Sequence, residues 1–205
     1  MSKLKRAYSP GEILSMNIPS YQFTGQWHAA IGNPAKSGNG KTSFVMQLAK
    51  YLCGFGKVIY DSLEEGTSLS FQKSLKRHGM DETRNRLMVL DREPMDQLAE
   101  RLSRKKSAPI VIIDSFQYSG LSYQSYCKMK ERYPNKLLIF ISHAEGIKPA
   151  GRPAKKVEYD ADVKIFVSCF KAMCKSRFLD QPGEPITIWE EGAAKALPAG
   201  VPEED

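Results

Sequence analysis

One short segment has the residue types that hold a phosphate group, namely Ala35-Lys36-Ser37-Gly38-Asn39-Gly40-Lys41-Thr42-Ser43. Gly38 and Gly40 let the backbone turn its amides toward phosphate oxygens, and a helix that follows would favour an anion at its amino end. Lys41 can contact the β- and γ-phosphates, and the Thr42 hydroxyl can bind Mg²⁺. The segment fits the P-loop pattern with alanine in place of the first glycine. It predicts a nucleoside triphosphate site.

Two carboxylates follow apolar, strand-like segments. Asp114 comes directly after the apolar residues 110–113, and a carboxylate in that position orients Mg²⁺, usually through water. Residues 61–65 follow another predicted strand and include Glu64 and Glu65. We expect Glu64, with Glu65 as the alternative, to polarise the attacking water as a general base. A solvated acidic loop is the competing interpretation of this segment.

His143 follows a third apolar strand, 137–141. A polar side chain there can respond to the γ-phosphate and transmit its state to the next loop. The competing interpretation is an ordinary loop histidine.

Predicted strands and helices alternate along most of the chain. The strands are predicted at 27–31, 57–60, 86–90, 110–113 and 137–141. The helices are predicted from 41 to about 52 and at 67–78, 94–105 and 122–132. This alternation favours an α/β fold with a mostly parallel sheet between helices. Strand candidates at 163–170, 172–177 and 185–189 have no helix between them and predict a C-terminal antiparallel β-meander.

Length and composition fit one α/β domain. The chain has 205 residues, 41% hydrophobic, and a formal net charge of +7 that favours polyanionic partners. We expect a basic lead with a short helix over 1–22, the main domain over 23–190 and a disordered acidic tail over 191–205. No apolar run approaches the roughly 18 residues of a membrane span, so we expect a cytoplasmic protein. The four cysteines lack zinc-site spacing.

The motifs resemble those of the RecA-like P-loop ATPases, particularly DnaB-type replicative helicases and RadA/Sms-type recombination ATPases. The resemblance covers about 23–190. Besides the phosphate loop, it is carried by Ser62-Leu63-Glu64, Ile113-Asp114-Ser115-Phe116-Gln117, Ser142-His143-Ala144-Glu145-Gly146 and Asp160-Ala161-Asp162-Val163. It implies a RecA-like fold in which Glu64 is the catalytic glutamate.

Lys175-Ser176-Arg177-Phe178 resembles the Lys-x-Arg of the helicases and the Lys-Asn-Arg-Phe of the RadA type. In the helicases these side chains reach the neighbouring subunit's ATP site, where the arginine stabilises the transition-state charge. The resemblance therefore implies that Lys175 and Arg177 act in trans, in a head-to-tail ring or filament. Two exposed basic residues on an edge hairpin are the alternative.

Residues 144–157 are predicted to form a loop rich in glycine, proline and cations. The resemblance implies that this loop faces single-stranded DNA, which it would contact through Lys148, Arg152, Lys155 and Lys156. A second loop, 115–122, carries Phe116 and Tyr118, which can stack on bases. A flexible surface loop and core aromatic side chains are the respective alternatives.

The sequence thus predicts an ATP-binding, Mg²⁺-dependent ATPase that acts on single-stranded DNA in replication or recombination. The accessory domains of both related families are absent from these residues, which weakens the case for unwinding. The alternative is an ATP-switched accessory protein that holds a partner with little turnover. A small-molecule kinase is disfavoured because no arginine-rich lid segment is evident.

Overall fold

The computed structural model describes residues 27–32, 40–145, 148–177 and 183–196. Its strands are, in chain order, β1 (Trp27–Gly32), β2 (Val58–Ser62), β3 (Leu87–Asp91), β4 (Ile110–Asp114), β5 (Leu137–Ile141), β6 (Ala144–Glu145), β7 (Lys148–Pro149), β8 (Val163–Ser168), β9 (Lys171–Ser176) and β10 (Ile186–Thr187). Its α-helices are α1 (Lys41–Leu52), α2 (Leu69–Arg77), α3 (Met95–Leu102), α4 (Tyr123–Arg132), α5 (Arg152–Asp160) and α6 (Glu190–Lys195). Two short 3₁₀ helices span Met80–Thr83 and Phe116–Tyr118.

Eight of these strands form one sheet in the order β10-β9-β8-β1-β5-β4-β2-β3. The strands from β8 to β3 in that order pair in parallel. Strands β9 and β10 extend the sheet antiparallel from β8. The prediction of a mostly parallel sheet with a C-terminal antiparallel meander is therefore confirmed.

Strand β5 and the first four residues of β4 are apolar, as expected for strands that helices cover on both faces of the sheet. Every residue of β5 is buried, and so are the first four residues of β4. Alternate side chains along these strands enter two separate hydrophobic clusters, one with Phe44 and Leu48 of α1 and the other with Leu98 of α3 and Tyr126 of α4. Burial on both faces is typical of parallel strands and explains their lack of polar alternation.

The predicted elements between 27 and 141 are all present and differ from the structure only at their ends. The predicted lead and short helix over 1–22 lie outside the described residues. Among the described residues, no helix is long and apolar enough to cross a membrane.

The prediction of a loop over 144–157 is wrong. Strands β6 and β7 pair as a small antiparallel hairpin, and α5 begins directly after Gly151. Gly151 has φ 84°, a conformation that favours glycine, and a proline lies in the first turn of the helix. Ala154 and Val157 form the buried face. Their spacing of three residues was the helical signal that the glycine, proline and lysine content obscured.

The prediction of a disordered tail from residue 191 is also corrected at its start. Residues 190–195 form α6, in which Gly192 is buried. Residues 197–205 of the predicted tail lie outside the described residues.

Candidate functional site

Gly40, the last glycine of the predicted phosphate loop, directly precedes helix α1. Gly40 precedes the helix with φ 92° and ψ 4°, a left-handed conformation in which a side chain would be strained. Its carbonyl accepts the hydrogen bond of Phe44 N, at 2.8 Å, and α1 begins at Lys41. The free amides of this first turn favour an anion. Of the predicted nucleotide-binding residues, Ala35, Lys36, Ser37, Gly38 and Asn39 lie outside the described residues.

Asp114 ends β4 two strands away from β1, at the same edge of the sheet. Its Oδ2 accepts a hydrogen bond from the Tyr60 hydroxyl at 2.5 Å. Burial raises the pKa of Asp114, and the Glu64 and Glu65 carboxylates add to that effect, whereas the Tyr60 hydrogen bond and the Lys41 ammonium oppose it. The carboxylate thus lies within the electrostatic reach of the phosphate-loop lysine, although far apart from it in sequence.

A divalent cation fits this environment. A cation beside Asp114 would offset the burial and the neighbouring negative charges that disfavour its ionisation. Among the described residues, no three histidine, cysteine or acidic side chains form a metal site of their own. The two predicted metal ligands are Asp114, which ends β4, and Thr42, the second residue of α1. Mg²⁺ usually takes few protein ligands together with phosphate and water oxygens.

The turn after β2 places Glu64 next to the end of β4. The amides of Leu63 and Glu64 both donate to the Asp114 carbonyl, at 2.6 and 3.1 Å. Glu64 Oε2 lies 2.9 Å from His143 Nε2, and both side chains are about one-third exposed, at 31% and 39%. The structure thus brings the predicted base and the predicted sensor into direct contact.

Glu65 points elsewhere. Its Oε2 accepts a hydrogen bond from the Ser70 hydroxyl of α2 at 3.0 Å. The position and partner of Glu64 therefore suit the role of base better than those of Glu65.

Gln117 is a site residue that sequence reasoning missed as an individual, although it ends the quoted segment 113–117. Its Nε2 donates to Ser142 Oγ at 2.7 Å and to the Ala150 carbonyl at 3.1 Å. Its Oε1 accepts from His143 N at 3.1 Å. The His143 carbonyl in turn accepts from Ala150 N at 2.8 Å. Gln117 therefore ties the segment after Asp114 to His143 and to the residue that follows β7.

The four predicted DNA-contacting cations are all exposed, on β7 and the first turns of α5: Lys148, Arg152, Lys155 and Lys156. Lys156 Nζ lies 5.5 Å from the ring centroid of Tyr123. Of the two aromatic candidates, Tyr118 is 60% exposed, but Phe116 is buried and packs edge-on against Phe140. The core interpretation is therefore correct for Phe116, because its 3₁₀ turn directs the ring into the sheet's covering layer.

Lys175 and Arg177 lie at the end of β9, in the antiparallel part of the sheet. Arg177 Nη2 donates to the Asp160 carbonyl at 2.7 Å and to the Tyr159 carbonyl at 3.3 Å, at the carboxyl end of α5. Within the described residues, no hydrogen bond or ion pair joins Lys175 or Arg177 to the acidic end of the site. The structure does not bring these two residues to their own chain's Glu64.

The strand order, the glycine turn into α1 and the acidic residue at the end of β4 define a RecA-like α/β fold. Among solved structures, the chain is similar to one described as the ATPase domain of G40P, with 15% sequence identity and a TM-score of 0.55 over 80% of each chain. Identity at that level shows the fold alone. No family model and no curated protein matches the sequence.

Proposed function

We propose that this chain binds ATP with Mg²⁺ and hydrolyses it, acting on single-stranded DNA in replication or recombination. The observation that carries the proposal is the contact between Glu64 and His143 at the edge of the sheet that also holds Lys41 and Asp114. The lysine comes from the start of α1, whereas the aspartate, the glutamate and the histidine come from the ends of three strands. These four residue types suit phosphoanhydride hydrolysis. The similarity to an ATPase domain supports the same proposal.

In this mechanism the protein contributes position and charge. Lys41 and the free amides at the start of α1 offset the charge of the phosphates. Thr42 and Asp114 would hold Mg²⁺, and the bound ion would supply positive charge against the phosphate oxygens. Glu64 orients a water molecule for in-line attack and accepts its proton. His143, hydrogen-bonded to Glu64, changes partner when the γ-phosphate leaves.

The Gln117 hydrogen bonds support a connection between this chemistry and the DNA surface. Movement of His143 acts on Ala150, which lies between Lys148 on β7 and Arg152 at the start of α5. Exposed lysines and arginines in this arrangement fit the phosphate backbone of a single strand rather than a base sequence.

Arg177 supports a head-to-tail oligomer in the cytoplasm, in which it and Lys175 complete the ATP site of a neighbouring subunit. Lys175 in β9 is exposed, and the Arg177 side chain, directly after that strand, is 51% exposed. In a single chain, however, α5 carbonyls hold the guanidinium. That retention favours the second candidate, an ATP-switched partner-binding protein with little turnover.

The test is ATP hydrolysis with and without single-stranded DNA at fixed low salt. Glu64→Gln should reduce turnover about 10²- to 10⁴-fold while ATP still binds, because only the general base is lost. Arg177→Ala should abolish the DNA-stimulated rate, whereas the exposed controls Glu131→Gln and Arg104→Ala should behave as wild type. ATP binding without turnover in the wild type would refute the ATPase and favour the switch. Retained turnover in Glu64→Gln would remove Glu64 as the base.

A further inference from the structure

Two aromatic side chains, Phe170 and Trp189, lie beside the amino end of α1. A Cβ atom built on Gly40 would be 3.0 Å from Phe170 Cδ1 and 3.5 Å from Ile188 Cδ1. The Phe170 ring therefore lies against the last glycine of the phosphate loop. The Trp189 ring centroid is 5.1 Å from that of Phe170, at an interplanar angle of 89°.

The order of the strands places these rings on one side of β1 and the acidic residues of the site on the other side. Strand β1, which leads into the phosphate loop, has β5 on one side and β8 on the other. Asp114 and Glu64 lie beyond β5, whereas Phe170 is in the turn that follows β8. Strand β8 is parallel to β1, so this turn is at the same edge of the sheet as the phosphate loop.

With ATP bound as proposed, this arrangement would set the direction of the nucleotide along the edge of the sheet. If the γ-phosphate lies next to Glu64 and Lys41, the remaining phosphates continue across the end of α1 toward β8. The sugar and base then reach the β8–β9 turn, where the aromatic pair lies.

The indole is held in place but not covered. Trp189 Nε1 donates to Glu191 Oε2 at 3.0 Å. A Cβ atom on Gly192 would be 2.2 Å from Trp189 Cε3, so the start of α6 packs directly against the ring. Even so, 48% of the Trp189 surface is exposed. A rigid, exposed aromatic ring can stack on a planar ligand without the entropy cost of ordering a side chain first.

The β8–β9 turn adopts a strained conformation to present Phe170. Cys169 and Phe170 have φ 51° and 56°, in the left-handed region that Asn-Gly turns occupy easily and that bulky residues avoid. The turn is anchored, since Ile188 N donates to the Phe170 carbonyl at 2.8 Å and Gln47 Nε2 donates to the Ile188 carbonyl at 3.2 Å. Strain of this kind concentrates at ligand-binding positions.

We propose that Phe170 and Trp189 form the nucleobase site of this chain, and that the site prefers a purine. This proposal rests on the proposed ATP binding and deepens it. Stacking on the indole supplies the contact, and the larger purine ring gives more stacking area than a pyrimidine. ATP and GTP should therefore bind more tightly than CTP and UTP, with little discrimination between the two purines.

The test compares ATP with inorganic tripolyphosphate, which has the phosphates but no base. The chain has two tryptophans, Trp27 and Trp189, so Trp27→Phe leaves the Trp189 indole as the only tryptophan signal. ATP should quench its fluorescence and tripolyphosphate should not, although both bind. In the otherwise wild-type chain, Trp189→Ala should weaken ATP binding, measured by calorimetry, roughly 5- to 100-fold and leave tripolyphosphate affinity unchanged.

Phe55→Ala is the matched control, because Phe55 is 55% exposed on the loop after α1; it should bind both ligands as the wild type does. Trp189→Phe should retain most of the ATP affinity. If the wild type binds ATP and Trp189→Ala binds it equally well, the base site is wrong and the proposed function stands. An equal loss of affinity for ATP and for tripolyphosphate in Trp189→Ala would also overturn the base site. A wild type that binds neither ligand would refute both proposals.

Discussion

Replacement of the buried Asp61 by asparagine should change how the stability of this protein depends on pH. Asp61 lies in β2, between β3 and β4, and its side chain is fully buried. Its Oδ1 accepts a hydrogen bond from Glu93 N at 3.1 Å, and its Oδ2 has no hydrogen-bond partner among the described residues. Burial therefore raises the pKa of Asp61 from an ordinary 3.8 to about 6.

The sign and size of the effect follow from that shift. Between the two pKa values the folded state binds more protons than the unfolded state, so the free energy of unfolding falls as pH rises from about 4 to about 6. Above about pH 6 the carboxylate is ionised in both states, so its unfavourable contribution to the free energy of unfolding is constant. A difference of about two pKa units corresponds to about 3 kcal/mol. Asparagine keeps an oxygen that can accept from Glu93 N but cannot ionise. The stability of Asp61→Asn should therefore lack this pH dependence.

The assay is urea unfolding of both proteins at several pH values between about 4 and 7.5, a range that brackets the shifted pKa. The free energy of unfolding of the variant minus that of the wild type should rise by about 2.5 kcal/mol across this range, because other titrations are common to both proteins and a small part of the effect lies below about pH 4. The exposed Asp96→Asn should follow the wild-type profile. A flat or falling difference for Asp61→Asn would refute the burial of an ionised carboxylate in β2.

Gln117→Leu should leave ATP binding intact and remove most of the DNA stimulation of hydrolysis, because its three hydrogen bonds to Ser142, His143 and Ala150 are lost. The exposed Gln124→Leu is the control. Equal DNA stimulation in both variants would contradict the coupling through Gln117. Asp160→Asn should lower the free energy of unfolding by about 2 kcal/mol near neutral pH. Burial opposes ionisation of Asp160, but hydrogen bonds from Lys130 and Tyr126 outweigh it and lower its pKa. Measured by chemical denaturation, the difference in free energy of unfolding between the wild type and Asp160→Asn should therefore shrink as pH falls below about 4. A difference that stays constant with pH would contradict the lowered pKa of Asp160.

The sequence was sufficient for the elements whose signal is local. The buried strands β4 and β5 and the helix after the phosphate loop follow from apolar runs and helical spacing alone. Contacts between distant segments could not be predicted in this way. The contact between Glu64 and His143 depends on two strand ends meeting at one edge, and Gln117 acts only through the loop it touches.

Helix α5 shows why the missed element matters to the proposed function. Sequence composition suggested a loop there, and a loop can carry cations but cannot transmit a displacement along its length. A helix can, because its backbone hydrogen bonds make it rigid. Ala150, just before α5, is bound to Gln117 and His143, whereas the carbonyls at its carboxyl end hold Arg177. For Arg177 to reach a neighbouring ATP site, it must leave those carbonyls. Helix α5 would then connect three features: the contact with a neighbouring subunit, the contact with His143 and the exposed lysines that face DNA. A substitution that disturbs one of these contacts should therefore alter the other two.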